Sequence, residues 1–131
     1  MSKYTYSTNN GEIEHLNKQI FISLMKLGFR ITSIGTIYLK NVIITFLLTE
    51  ASLKHKDLTY SQSINILSKD LKKCPVSIKS NISKSFEVIN RERYIKNFPK
   101  IFKYETDESS ITPPNLYESF SALYQLKNST I

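Results

Sequence analysis

Apolar side chains along this chain recur mainly at spacings of three and four, the period of a helix and not of a strand. The first stripe is Ile13, Leu16, Ile20, Leu24 and Leu27, which predicts a helix starting near Asn9 or Asn10. Asn9 followed by Glu12 has the form of a capping box, and Gly28 suits a left-handed stop behind the last apolar position. Residues 1–8 are polar, tyrosine-containing and without period, and are expected to form a flexible N-terminal arm. After the loop FRITSI, Gly35 stands at the start of a second segment, GTIYLKNVIITFLLTEASL. It is apolar over most of its circumference, as a central buried helix should be. Val42, Ile43, Ile44 and Thr45 would also suit a strand, but the length and the absence of breakers favour helix.

Residues 54–60 form a polar connection into SQSINILSKDLKKCPVSIKSNISKSFEVINRER, two short amphipathic helices around a basic turn of about four residues. Ile64, Leu67 and Leu71 mark the inner face of the first, and Ile78, Ile82, Phe86 and Ile89 that of the second. Ser77, Ser80, Lys84, Glu87 and Arg91 then fall on the outward face of the second. Pro75 suits a first helical turn, where its missing N–H would be unpaired anyway. This is the outline of a helix-turn-helix at about 61–91. Beyond it, Tyr94, Ile95, Phe98, Ile101 and Phe102 predict a short helix interrupted near Pro99, and ETDESSITPP predicts a loop ended by its prolines. The last segment opens with Asn115 and Glu118 in capping-box form. It carries the stripe Leu116, Phe120 and Leu123, with Tyr124 and Leu126 at its edges and Lys127 at its end. The expected architecture is all-α: a compact domain of five to six helices over residues 9–131, containing the helix-turn-helix.

Composition narrows the class. A chain of 131 residues, 40% apolar and 11% aromatic, supports one folded domain, and three glycines argue against a many-stranded sandwich. The longest apolar run, residues 42–48, is broken by Thr45 and is too short to span a membrane, and the N-terminus lacks a hydrophobic signal core. With Cys74 the only cysteine, no internal disulfide can form, and a cytoplasmic location is expected. Charge changes the picture more. Residues 65–103 hold ten Lys/Arg against three acids, which equals the net +7 of the whole chain, since the other eight bases and eight acids cancel. One basic segment on one motif is the electrostatic footprint of phosphate contact.

Candidate chemistry is thin. His15 lies near Glu12 and Glu14, and His55 is followed by Asp57, but neither pair has a third convergent ligand. Cys74 precedes Pro75 and suits the start of a helix better than a nucleophile. No phosphate loop, catalytic triad order or paired-carboxylate motif is present. No enzyme, metal or cofactor is expected.

Three signatures in order carry a resemblance: LMKLGFRITSIGTIYLKNVI at 24–43, LSKDLKKCPVSIKSNISKSFEVI at 67–89, and ITPPNLYESFSALYQLKNS at 111–129. Together they resemble the C-terminal DNA-binding effector domain of the stage-zero sporulation protein A family, over roughly residues 13–129. The resemblance implies a six-helix domain and a transcriptional regulator related to sporulation control. The family attaches that domain behind a phosphoacceptor receiver. Only a dozen residues precede the stretch that carries the resemblance, so no receiver and no phosphorylation gate are expected. The family reads bases with two arginines and a glutamate, whereas Ser77 and Ser80 stand where the arginines would be and Lys79 where the glutamate would be.

The expected function is a small standalone, sequence-preferring DNA-binding protein whose partner is double-stranded DNA. Ser77, Lys79, Ser80, Ser83 and Lys84 would face base edges, and Lys69, Lys72, Lys73 and Arg91 would hold phosphates. In the resembled family the C-terminal helices take part in tandem dimer contacts on DNA. That implies a homodimer on DNA through Leu116, Phe120, Leu123 and Tyr124, against the alternative that this stripe docks on its own core. Two other functions stay open. One is an accessory or directionality factor for site-specific recombination, with a recombinase partner. The other is a protein-interaction module that has lost DNA readout and binds a regulatory protein.

Overall fold

A helix that is apolar on nearly every side has to be surrounded, and α2 (Ile34–Leu53) is. Against it pack α1 (Asn10–Leu27), α3 (Tyr60–Leu71), α4 (Pro75–Glu87) and α6 (Pro113–Ser129), the α4 contact being the most extensive. α5 (Arg91–Phe102) lies on α1 and touches α6. This is a computed structural model, and it describes residues 10–53 and 58–129. The arm at 1–8, the Asn9 cap and His55 lie outside the described residues. Among those described there are six α-helices, one short 3-10 turn at Glu108–Ser110 and no strand. The run at 42–45 is therefore helical, and none of the described helices is long and apolar enough to cross a membrane.

The helix ends follow local chemistry. Gly28 sits at φ +110, and its N–H and that of Phe29 donate to the carbonyls of Met25 and Leu24, both at 3.0 Å. That double closure is the Schellman stop, and it carries Phe29 into the core edge-on to Phe86, ring centroids 4.9 Å apart. α3 starts on a full capping box: the Gln62 N–H donates to Thr59 Oγ1 and the Thr59 N–H to Gln62 Oε1.

α5 and α6 differ from the sequence expectation. α5 runs unbroken through Pro99. A proline inside a helix costs about 3 kcal/mol, but Tyr94, Phe98 and Phe102, one turn apart, are all buried and stack in sequence, and that burial outweighs the lost hydrogen bond. Pro113 and Pro114 do not stop a loop; they are the first two residues of α6. Their missing N–H groups fall where a helix leaves donors unpaired. Thr112 does the capping, its carbonyl and hydroxyl accepting from Leu116 and Asn115.

The core runs from Ile20, Leu24 and Leu27 through Leu39, Val42, Ile43 and Phe46 to Ile64, Ile78, Ile82 and Phe120. One buried polar knot ties α3 to α6: the Tyr117 hydroxyl donates to the Leu58 carbonyl at 2.8 Å and lies 2.6 Å from Ser63 Oγ.

Burial pushes the Tyr94 phenol well above its ordinary value, with neighbouring Tyr104 adding to the shift, and burial does the same to Tyr60. Unfolded tyrosines ionise near pH 10, so the unfolded chain loses these protons first. The stabilisation is therefore complete below about pH 10 and falls as pH rises past it. Urea midpoints should be level up to about pH 9.5 and drop steadily above 10, less steeply in Tyr94→Phe. A midpoint unchanged at about pH 11 would contradict this.

Candidate nucleic-acid interface

The turn between α3 and α4, residues 72–74, is closed by one serine. The N–H groups of Lys72 and Lys73 both donate to the Ser68 carbonyl, and the Ser68 hydroxyl donates back to the Lys73 carbonyl. Lys72 takes the left-handed conformation, φ 57, that ends α3. Cys74 then precedes Pro75 at the first position of α4, as the sequence predicts, in a turn of three residues instead of four. The lysine side chains are thus held on a fixed corner, and Lys69, Lys72 and Lys73 are all exposed.

α4 buries Ile78, Ile82, Ser85 and Phe86 and exposes Val76, Ser77, Lys79, Ser80, Ser83, Lys84 and Glu87. At 100° per residue, Ser80, Glu87, Lys84 and Val76 lie within about 45° of the direction opposite the buried residues, with Ser77 and Ser83 about 60° to either side. Lys79 stands on the flank toward α3, where its Nζ donates to Ser61 Oγ at 3.2 Å. Ser77 stands on the other side, its carbonyl accepting from Asn81 Nδ2 at 2.9 Å. The five residues predicted to face bases are therefore together on one helix, but Lys79 is at its margin.

What seats α4 at this depth is Gly35. A Cβ there would lie 2.1 Å from the Asn81 carbonyl oxygen, so α2 and α4 meet backbone to backbone. None of Lys69, Lys72, Lys73, Lys79 and Lys84 is in an ion pair with a described residue. Acidic side chains collect elsewhere: Glu105, Asp107 and Glu118, with the neutral Asn115, line a cleft between α6 and the turn before it. Hydrogen bonds from Ser109 and Ser110 hold the Asp107 carboxyl below its usual range.

Two predicted positions leave the α4 face. α4 ends at Glu87, Val88 is its C-cap, and Asn90 starts α5 by accepting the Arg93 N–H at 3.0 Å. Arg91 is accordingly the first residue of α5, exposed and 3.9 Å from Glu108, and Ile89 is buried from the connecting residues. Leu71, expected on the inner face of α3, is 38% exposed because the turn begins there.

The association stripe is also placed differently. Leu116 and Phe120 are 0% exposed, Tyr124 is buried and Leu123 half-buried, with Phe120 edge-on to Phe102 at 4.9 Å. This stripe docks on the domain's own core, the alternative the sequence left open. Phe120→Glu should therefore abolish cooperative thermal unfolding, since losing a buried Phe alone costs about 3–5 kcal/mol and a buried carboxylate adds to it. A folded Phe120→Glu domain that loses only paired occupancy of DNA would restore the association role.

Sequence reasoning missed four contributors: Ser68, Ser61, Gly35 and Val76. Val76 had a signal, since it is the one apolar residue of α4 that falls outside the Ile78 stripe, and it is 72% exposed. His15 and Cys74 are exposed, and no group of three His, Cys, Asp or Glu among the described residues is placed to hold a metal. Comparison with protein-family models, curated proteins and solved structures finds no match.

Proposed function

We propose that this chain is a DNA-binding protein that lays α4 along the major groove, and that it acts as a transcriptional regulator related to sporulation control, as the sequence resemblance implies. The observation that carries the reading is the outer face of α4. It is exposed along its whole length, polar but for Val76, and set beside a basic turn in the segment that holds all of the chain's net charge.

In this mechanism Lys69, Lys72 and Lys73 neutralise phosphates and fix the register, while Ser77, Ser80, Ser83 and Lys84 reach base edges. Serines make single hydrogen bonds where arginine would make forked ones worth about 1–3 kcal/mol of discrimination each. The ratio of specific to non-specific affinity should accordingly stay below roughly 10⁵ at physiological salt. Binding to random-sequence duplex DNA should fall steeply as salt rises from about 50 to about 200 mM. A second reading, a protein-interaction module, is favoured by one feature: Val76 and Val88, near the two ends of α4, are both more than 70% exposed. Such a module would show no duplex retention at physiological salt, which would overturn the DNA reading.

A further inference from the structure

α5 turns its aromatic ladder inward and three cations outward. Arg93, Lys96 and Lys100 are all exposed, and at 100° per residue they lie within about 60° of one another, opposite Tyr94, Phe98 and Phe102. Like charges three and four residues apart repel and weaken a helix. Among the described residues no acid relieves them: Glu92 pairs with none of the three, and the α5 ion pair is Arg91 with Glu108.

Arg93 has a structural task. Its Nη2 donates to the Met25 carbonyl at 3.0 Å, and Asn97 Nδ2 donates to the Lys26 carbonyl at 2.6 Å. These two side chains cap the last turn of α1, whose carbonyls have no partner within the helix, and they lock α5 in place. The Lys96 and Lys100 ammonium groups have no such partner among the described residues. They border an open cleft with Asn90, Glu92, Arg93 and Asn97. One turn apart, the two lysines are about 6 Å apart along the helix axis, close enough together to face one stretch of a phosphate backbone.

We infer that α5 is a second backbone-contacting surface, on which Lys96 and Lys100 hold phosphates of the duplex beyond the segment that α4 covers. The inference rests on the α4 reading. Only residues 88–90 separate the two helices, so the start of α5 is held close to the C-terminal end of α4, and Arg93 and Asn97 fix α5 to α1. A basic face with no partner on its own chain is complementary to a polyanion that runs on in the same direction.

The test compares salt dependence of binding on two random-sequence duplexes, about one and about three helical turns long. For the wild type, the slope of log affinity against log salt should be steeper by about two on the long duplex. Lys96→Ala/Lys100→Ala should give nearly equal slopes on both, with affinity for the short duplex unchanged and its thermal melt intact. Lys96→Arg/Lys100→Arg should restore the wild-type difference, because it keeps the charge. A double alanine variant with the wild-type slope on the long duplex overturns the inference and leaves the α4 reading standing. A wild type that binds neither duplex overturns both.

Discussion

Gly35→Ala is expected to lower the melting temperature by roughly 10 °C or more. On propensity alone the change should help, since alanine in a helix is worth about 1 kcal/mol over glycine. The packing reverses the sign. The new methyl would stand 2.1 Å from the Asn81 carbonyl oxygen, 2.8 Å from its carbon and 3.0 Å from Ser85 Cβ. The first two are backbone atoms of α4, which no rotamer change can clear. α2 and α4 must move apart, and their contact is the largest between any two helices. Overpacking costs typically about 1–3 kcal/mol and more when backbone must shift, so about 3 kcal/mol is the expected loss. Gly28→Ala is the control: its φ of +110 strains any side chain, but its nearest neighbour would be the flexible Arg93 side chain at 3.7 Å. Its loss should be smaller, near 1 kcal/mol. Gly35→Ala melting at the wild-type temperature would mean that the two helices are not in backbone contact. Because Gly35 seats α4, surviving Gly35→Ala protein should also bind DNA less well than its stability predicts.

Which parts of this structure the sequence reveals depends on the range of the forces involved. α1 and the inner face of α4 were legible because one-sided burial writes itself as a three-and-four spacing, and Ile78, Ile82 and Phe86 are buried as that spacing requires, whereas α2 was legible as a long apolar run without breakers, which burial on nearly every side demands. The same rule misled at the end of α4. Ile89 follows Phe86 by three, so the stripe runs on in the sequence although Asn90 has already capped a new helix. Arg91 was assigned to the wrong helix for that reason alone. Pro99 and Pro113 show the limit of local rules in both directions. Pro99 is overridden because Tyr94, Phe98 and Phe102 of its own helix are buried, two of them against Phe29 and Phe120 from elsewhere in the chain, and Pro113 changes meaning because Thr112, not Asn115, caps α6. Within the site, exposure of Ser80, Ser83 and Lys84 follows from helix phase. The bracing of the turn by Ser68 and the depth of α4 over Gly35 do not, because both depend on groups that meet only in the folded chain.

Replacing Lys72, Lys73 and Lys84 together by alanine is expected to weaken binding to duplex DNA roughly 100-fold at about 0.15 M salt and to lower the salt slope by two to three. All three side chains are exposed and outside any ion pair with a described residue, so stability should change little, within about 0.5 kcal/mol per site. The three are not equivalent. Lys72→Ala should weaken all sequences alike, since a phosphate contact carries no sequence information, whereas Lys84→Ala, on the outward face of α4, should alter which sequences are preferred. Lys72→Gly separates folding from binding most cleanly. At φ 57 the backbone strains any side chain, and glycine removes that strain. The variant should melt higher, by up to about 1 kcal/mol of added stability, while binding DNA more weakly through loss of the ammonium. A change in stability and a change in affinity of opposite sign could not arise from partial unfolding. Equal affinity of the triple alanine variant and the wild type, measured by salt titration on the same duplex, would remove DNA as the partner of this face.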